Sequence, residues 1–223
     1  MPRLVIVSAG TSQPSTTRML ADRIAAGSLE VLREMDLTAT TGAVEVAPLA
    51  VDVARASVTG VPSKELQAAI DQIAAADAVI ASAPVYKAGI SGLFKSFVDV
   101  LDNDLLIAKP VVLAATAGSS RHALVVDEQM RSLFAYMRAL TLPTAVFAAP
   151  EDWGAAELGE RVRRAATELA VVVRGQIERG IADGAWSGYQ HAFAGNATGA
   201  EQTAADVDFD SPLMRLAAGG RAD

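Results

Sequence analysis

Three short stretches hold the residues whose types and spacing could do chemistry, and none of them contains an acid–base pair. The first is Gly10-Thr11-Ser12-Gln13-Pro14-Ser15-Thr16-Thr17, a hydroxyl-rich turn between the apolar run 4–7 and an apolar-periodic segment that begins near Met19. Backbone N–H groups at the start of a helix point at an anion, and hydroxyls add donors, so this pattern suits a phosphate. It has neither the Lys-Ser/Thr pair of a Walker A loop nor a G-x-G-x-x-G fingerprint. The same residues also make an ordinary helix start, with Ser15 or Thr16 as the cap. The second stretch is 84–89, where Pro84 fixes φ and Tyr86 and Gly89 flank a close backbone approach; a plain strand-to-helix turn uses similar residues. The third is Thr116-Ala117-Gly118-Ser119-Ser120-Arg121. Its residues are small enough for backbone N–H groups to reach a planar ring, or simply mark a glycine after a strand.

The elements that must position these stretches alternate along the chain. Strand-length apolar runs lie at 4–7, 78–82, 111–115 and 144–148, with a weaker strand at Val44, Val46 and Leu49 interrupted by Pro48. Helical spacing covers 16–35 with a wobble at Gly27, and 63–76 behind a Ser63 cap. It returns at 90–102, 124–140 and 155–182. Residues 50–62 read as an irregular loop. The order is strand, helix, five times over, which predicts an α/β three-layer sandwich: a five-stranded parallel sheet in the flavodoxin-like order 2-1-3-4-5, with helices on both faces. Residues 1–184 form that domain. Residues 185–223 form an extension rich in Gly, Ala, Asp and Thr, expected to be mobile apart from a short docking segment at 209–216.

In such a sheet, ligands bind beyond the carboxyl ends of the strands, at the switch point between strands 1 and 3. The three stretches follow strands 1, 3 and 4, so all three fall on that edge. An FMN fits the inventory, with its phosphate in the first loop and its isoalloxazine edge against the second and third.

Composition removes other classes. The chain has 223 residues, 51% of them apolar, and a net charge of −7. No basic stripe appears, which argues against nucleic acid; Arg161, Arg163 and Arg164 sit among acids on a helix as a solvated face. With no cysteine, disulfides, Cys-ligated zinc, iron–sulfur clusters and thiol catalysis are excluded. His122 and His191 lack metal-ligand spacing. No apolar run approaches the roughly 20 residues of a membrane span, and the N-terminus does not read as a signal peptide. A cytoplasmic location is the expectation.

The run Pro84-Val85-Tyr86-Lys87-Ala88-Gly89-Ile90-Ser91-Gly92-Leu93-Phe94-Lys95-Ser96 resembles the NADPH-dependent FMN reductases, as does Ala115-Thr116-Ala117-Gly118-Ser119-Ser120-Arg121-His122-Ala123-Leu124. The resemblance covers roughly residues 3–155. It is closest to the reductase components of two-component flavin monooxygenases of the luciferase-like, alkanesulfonate-type branch. It implies that Thr11, Ser15 and Thr17 bind the FMN phosphate, that Pro84, Val85 and Tyr86 line the flavin ring, and that Thr116, Ala117, Gly118 and Ser119 contact its pyrimidine end. It further implies hydride transfer from NADPH or NADH to flavin N5 with no catalytic side chain and no metal, a homodimer or homotetramer, and reduced FMN supplied to a separate luciferase-like monooxygenase. Arg18 and Arg121 are candidates for an NADPH phosphate. Two departures stand out. Gln13 occupies a place where the family often has Arg, in a loop about one residue shorter, and Ile90 stands where some relatives carry an aromatic residue associated with a helix bulge. Two alternatives remain at this stage: an FMN-bound quinone, azo or metal-oxyanion reductase, and a non-enzymatic flavodoxin-type electron carrier.

Overall fold

The computed structural model describes residues 1–186; the extension expected at 185–223, with its segment at 209–216, falls outside them except for its first two residues. The apolar runs pair side by side. β1 (Arg3–Ser8) is flanked by β2 (Thr40–Glu45) and β3 (Ala78–Tyr86), and β5 (Pro110–Thr116) joins β3, all in parallel. With β6 (Leu140–Thr141) at the far edge, the sheet order is β2-β1-β3-β5-β6, the flavodoxin-like order expected from the sequence.

The strand count is seven rather than five, for two local reasons. A two-residue strand, β4 (Gly89–Ile90), folds back antiparallel on β3. The outer strand is split: β6 (Leu140–Thr141) pairs with the start of β5 and β7 (Val146–Ala148) with its end. Pro143, with no N–H to donate, lies in the gap. The Arg131 guanidinium takes the carbonyls of Leu142 and Pro143 at 2.9 and 3.2 Å, and Glu168 takes the Thr144 N–H and hydroxyl at 2.8 and 2.6 Å. Side chains thus satisfy the backbone that the ladder leaves out.

Period-two alternation sends each strand's side chains to two cores. Leu4, Ile6, Ala78, Ile80, Val112 and Ala114 face α1 (Thr16–Glu34) and α6 (Ala156–Arg174). Val5, Val7, Val79, Ala81, Val111 and Leu113 face the other side. There lie α2 (Ala50–Thr59), α3 (Lys64–Ala74), α4 (Gly92–Asp99) and α5 (Arg131–Tyr136). Phe94 and Phe97 of α4 are fully buried, and Phe94 meets Phe134 of α5 with centroids 6.3 Å apart.

Four helical expectations need correction. Residues 50–59, read as irregular, form α2; only Val53 and Ala56 are buried on it, too narrow a stripe to stand out as helical periodicity. The helix expected over 90–102 ends at Asp99. The one expected over 124–140 is a π-helical turn, Val126–Met130, followed by the short α5, and Arg138 then turns left-handed with φ 56°. The last helix breaks after Arg174, where Gln176 has φ 50°, and resumes as α7 (Ile177–Ile181). α1, by contrast, runs unbroken through Gly27.

Candidate active site

Loop one is shaped by the start of α1. Ser15 caps the helix, its hydroxyl accepting the Arg18 N–H at 3.2 Å, and the Met19 N–H makes the first helical bond to the Ser15 carbonyl. The N–H groups of Thr16 and Thr17 have no acceptor among the described residues. They project from the positive end of a 19-residue helix, where an anion is favoured. Gly10 is required by close approach: a Cβ there would sit 1.8 Å from the Ser15 hydroxyl.

Behind this cradle lies a set of buried hydroxyls on the α1 side of the sheet. Thr17 and Thr116 hydrogen-bond to each other at 2.7 Å, joining loop one to the end of β5. The Ser82 hydroxyl donates to the Thr17 carbonyl at 2.9 Å. Ser8, paired in register with Ser82, is fully buried, and its hydroxyl has no partner among the described residues. The Thr17 hydroxyl is therefore an internal brace, and its N–H is the donor left unused among the described residues.

The second stretch is a hairpin, not a loop. Pro84 and Val85 are buried and belong to β3, Pro84 beside Thr116 in the ladder and Val85 opposite Ile90. Tyr86, 52% exposed, is the side chain of the three that reaches solvent, and its hydroxyl lies 3.2 Å from that of Thr11. Loops one and two thus touch directly. The helix bulge of the region is the π turn at Val126–Met130, while Ile90 itself lies in β4.

In loop three, the Ala117 N–H donates to Ala148 and the Arg121 N–H to the Ser119 hydroxyl. The Ser120 N–H donates to Glu151 at 3.3 Å. Glu151's own N–H and the Ser120 bonds hold its carboxyl below the ordinary range, against a smaller opposing effect of burial. The N–H groups of Gly118 and Ser119 have no acceptor among the described residues. A Cβ on Gly118 would meet no protein atom, so packing does not require this glycine.

All ten predicted site residues lie on the carboxyl edge of the sheet. Two pairs of unused N–H groups, one at a helix start and one in a small-residue turn, fit a ligand with a phosphate at one end and a polar planar ring at the other. Arg18 is committed elsewhere: Asp22 holds it at 2.8 Å and Glu45 pairs with it too. Partial burial works against its charge, but the two carboxylates more than offset this and raise its pKa. Arg121 is exposed, and its guanidinium has no partner among the described residues. Nothing in the sequence pointed to Glu151. Ser82 left a signal, a hydroxyl inside an apolar strand run. Among the described residues no cluster of His, Asp and Glu could hold a metal, and no helix is long and apolar enough to cross a membrane.

Residues 2–154, which include all seven strands and all three site loops, match the NADPH-dependent FMN reductase family. The chain belongs to that family. An FMN reductase (NADPH) of Pseudomonas aeruginosa is 37% identical over 185 residues, covering 79% of this chain and 95% of that one. The NADH-dependent FMN reductase SfnE of Pseudomonas putida is also 37% identical, over 77% of this chain and 92% of its own. The crystal structure of an oxidoreductase from Corynebacterium diphtheriae superposes with a TM-score of 0.76 at 40% identity, covering 78% of this chain and 98% of that one. As a flavodoxin-like FMN reductase, the chain follows the family through the whole of its sheet.

Proposed function

We propose that this FMN reductase oxidises NADPH or NADH and supplies reduced FMN to a separate luciferase-like monooxygenase. The observation that supports it best is the pair of unused donor sets at one sheet edge, Thr16 and Thr17 on one side and Gly118 and Ser119 on the other. Thr16 and Thr17 hold the phosphate through their N–H groups, with Thr11 and Ser15 beside them. Tyr86 and the backbone of Pro84 and Val85 form the ring wall. The N–H groups of Gly118 and Ser119, with Thr116 and Ala117 behind them, donate to the ring's polar edge and stabilise negative charge there. When bound, FMN supplies the redox chemistry, taking hydride from the nicotinamide at N5. The chain's own part is to hold two rings at one distance, which is proximity catalysis. No acid or base is needed. Arg121 ends loop three, where it meets the coenzyme's phosphates.

The test is NADH and NADPH oxidation with and without added FMN, FAD and riboflavin. Turnover that requires added FMN, from colourless protein, is the expected result. Yellow protein that reduces quinones without added flavin would instead assign a bound-cofactor reductase. FMN binding with no NAD(P)H oxidation would leave only an electron carrier. Delivery is tested by adding a luciferase-like FMN monooxygenase. Product formed from NAD(P)H and catalytic FMN supports it, and absence of product with every such partner tried, despite active flavin reduction, argues against it.

A further inference from the structure

The β3–β4 turn is short and strained. Lys87 and Ala88 both have positive φ, 52° and 64°, as a two-residue type I′ turn requires. Such turns favour Asn and Gly, because a Cβ resists the left-handed region. The ladder behind the turn consists of Val85↔Ile90 and Tyr86↔Gly89, closed by the Ser91 N–H on the Pro84 carbonyl at 2.9 Å, too little to hold an isolated hairpin.

One side chain from another element supplies the missing support. The Gln129 Oε1 accepts the Ile90 N–H at 3.1 Å, and its Nε2 donates to the Ala88 carbonyl at 3.2 Å. A Cβ on Gly89 would lie 3.2 Å from that Oε1, so the glycine lets the amide come close. Gln129 sits in the π turn Val126–Met130. It borders an open cavity of about 540 Å³ with Ile90, Lys95 and Leu133, so a different side chain fits there without repacking the core.

We infer that Gln129 is a positioning residue for the flavin ring: its amide fixes the strained β3–β4 turn, and through it the wall formed by Pro84, Val85 and Tyr86. This rests on the proposal that the hairpin lines the flavin. Among the described residues the Gln129 side-chain amide hydrogen-bonds only to the turn. It stabilises the wall before the flavin arrives, so its effect falls on flavin affinity more than on turnover once the site is full.

The test is Gln129→Met, similar in length and without either bond. Titrating FMN by quenching of its fluorescence should show a dissociation constant raised about tenfold, with kcat at saturating FMN within about threefold of wild type. Adding Lys87→Asn and Ala88→Gly to that variant gives the turn residues that adopt its conformation unaided. This should return the dissociation constant to near the wild-type value. An unchanged constant in Gln129→Met overturns the inference, and so does a loss that the turn substitutions fail to rescue. If Gln129→Met does not fold, Gln129→Glu keeps the acceptor for Ile90 and loses the donor to Ala88. It should bind FMN more weakly at neutral pH, and wild-type affinity there overturns the inference. Wild-type protein that binds no FMN sinks the functional proposal. Amide hydrogen exchange at residues 86–90 reads the turn independently: faster exchange in Gln129→Met supports the hold, and unchanged exchange refutes it.

Discussion

Thr17 and Thr116 are 99 residues apart and share one buried hydrogen bond. Changing either one to valine leaves the other hydroxyl without its partner, and each single variant should lose about 1–2 kcal/mol in urea unfolding. Changing both removes the orphan, so the double variant should lose less than the sum of the two. Gly118 separates stability from binding in another way. A Cβ there meets no protein atom, so Gly118→Ala should leave the melting temperature unchanged or slightly raised. FMN affinity should still fall about tenfold, because the methyl group enters space that the ligand needs. The loops carrying these residues were legible in the sequence, since strand order puts both on one edge. Their pairing was not, because nothing local to Thr17 or Thr116 says which hydroxyl faces inward. The burial of Val85 was hidden for a related reason: its neighbours mark the end of a strand, but only the hairpin decides which way its side chain faces.

Among the elements, legibility followed the strength of the pattern. β1, β3 and β5 are continuous apolar runs, and α1 and α3 have wide buried stripes and serine caps. α2 was missed because two buried residues make no visible period, although Gly60 at φ 71° ends it as a helix-terminating glycine does. β4 was missed because two residues are too few to show alternation and Lys-Ala is no hairpin signature. The split outer strand was anticipated only by Pro143. Gly27 gives the element-scale prediction. It lies inside α1, where a Cβ would stand 3.5 Å from Ala166 and 3.7 Å from Val162 of α6, both ordinary contacts. Gly27→Ala should therefore stabilise the protein by about 0.5–1 kcal/mol in urea unfolding, with FMN reduction unchanged.

The whole molecule divides its work between the two ends of the sheet. At the amino edge, the Lys109 side chain is 4% exposed and holds the carbonyls of Ala74 and Ala76 and the Glu178 carboxylate on α7. Lys109→Met leaves those groups without their donor and should cost about 2–3 kcal/mol in urea unfolding. FMN affinity, set at the opposite edge, should not change. At the carboxyl edge the charges have a different consequence. Arg18 is the one cation in the stretch 10–18, and two carboxylates already neutralise it in a chain of net charge −7. In the proposed site the FMN phosphate would thus be gripped by peptide dipoles within a field that repels it. Added salt screens the repulsion and has little attraction to weaken. Raising KCl from about 0.05 to about 0.5 M should leave FMN binding unchanged or tighter, the reverse of a phosphate site built on lysine or arginine. A dianion held without a counter-ion has no ion pair to break on the way out, which suits a flavin in transit.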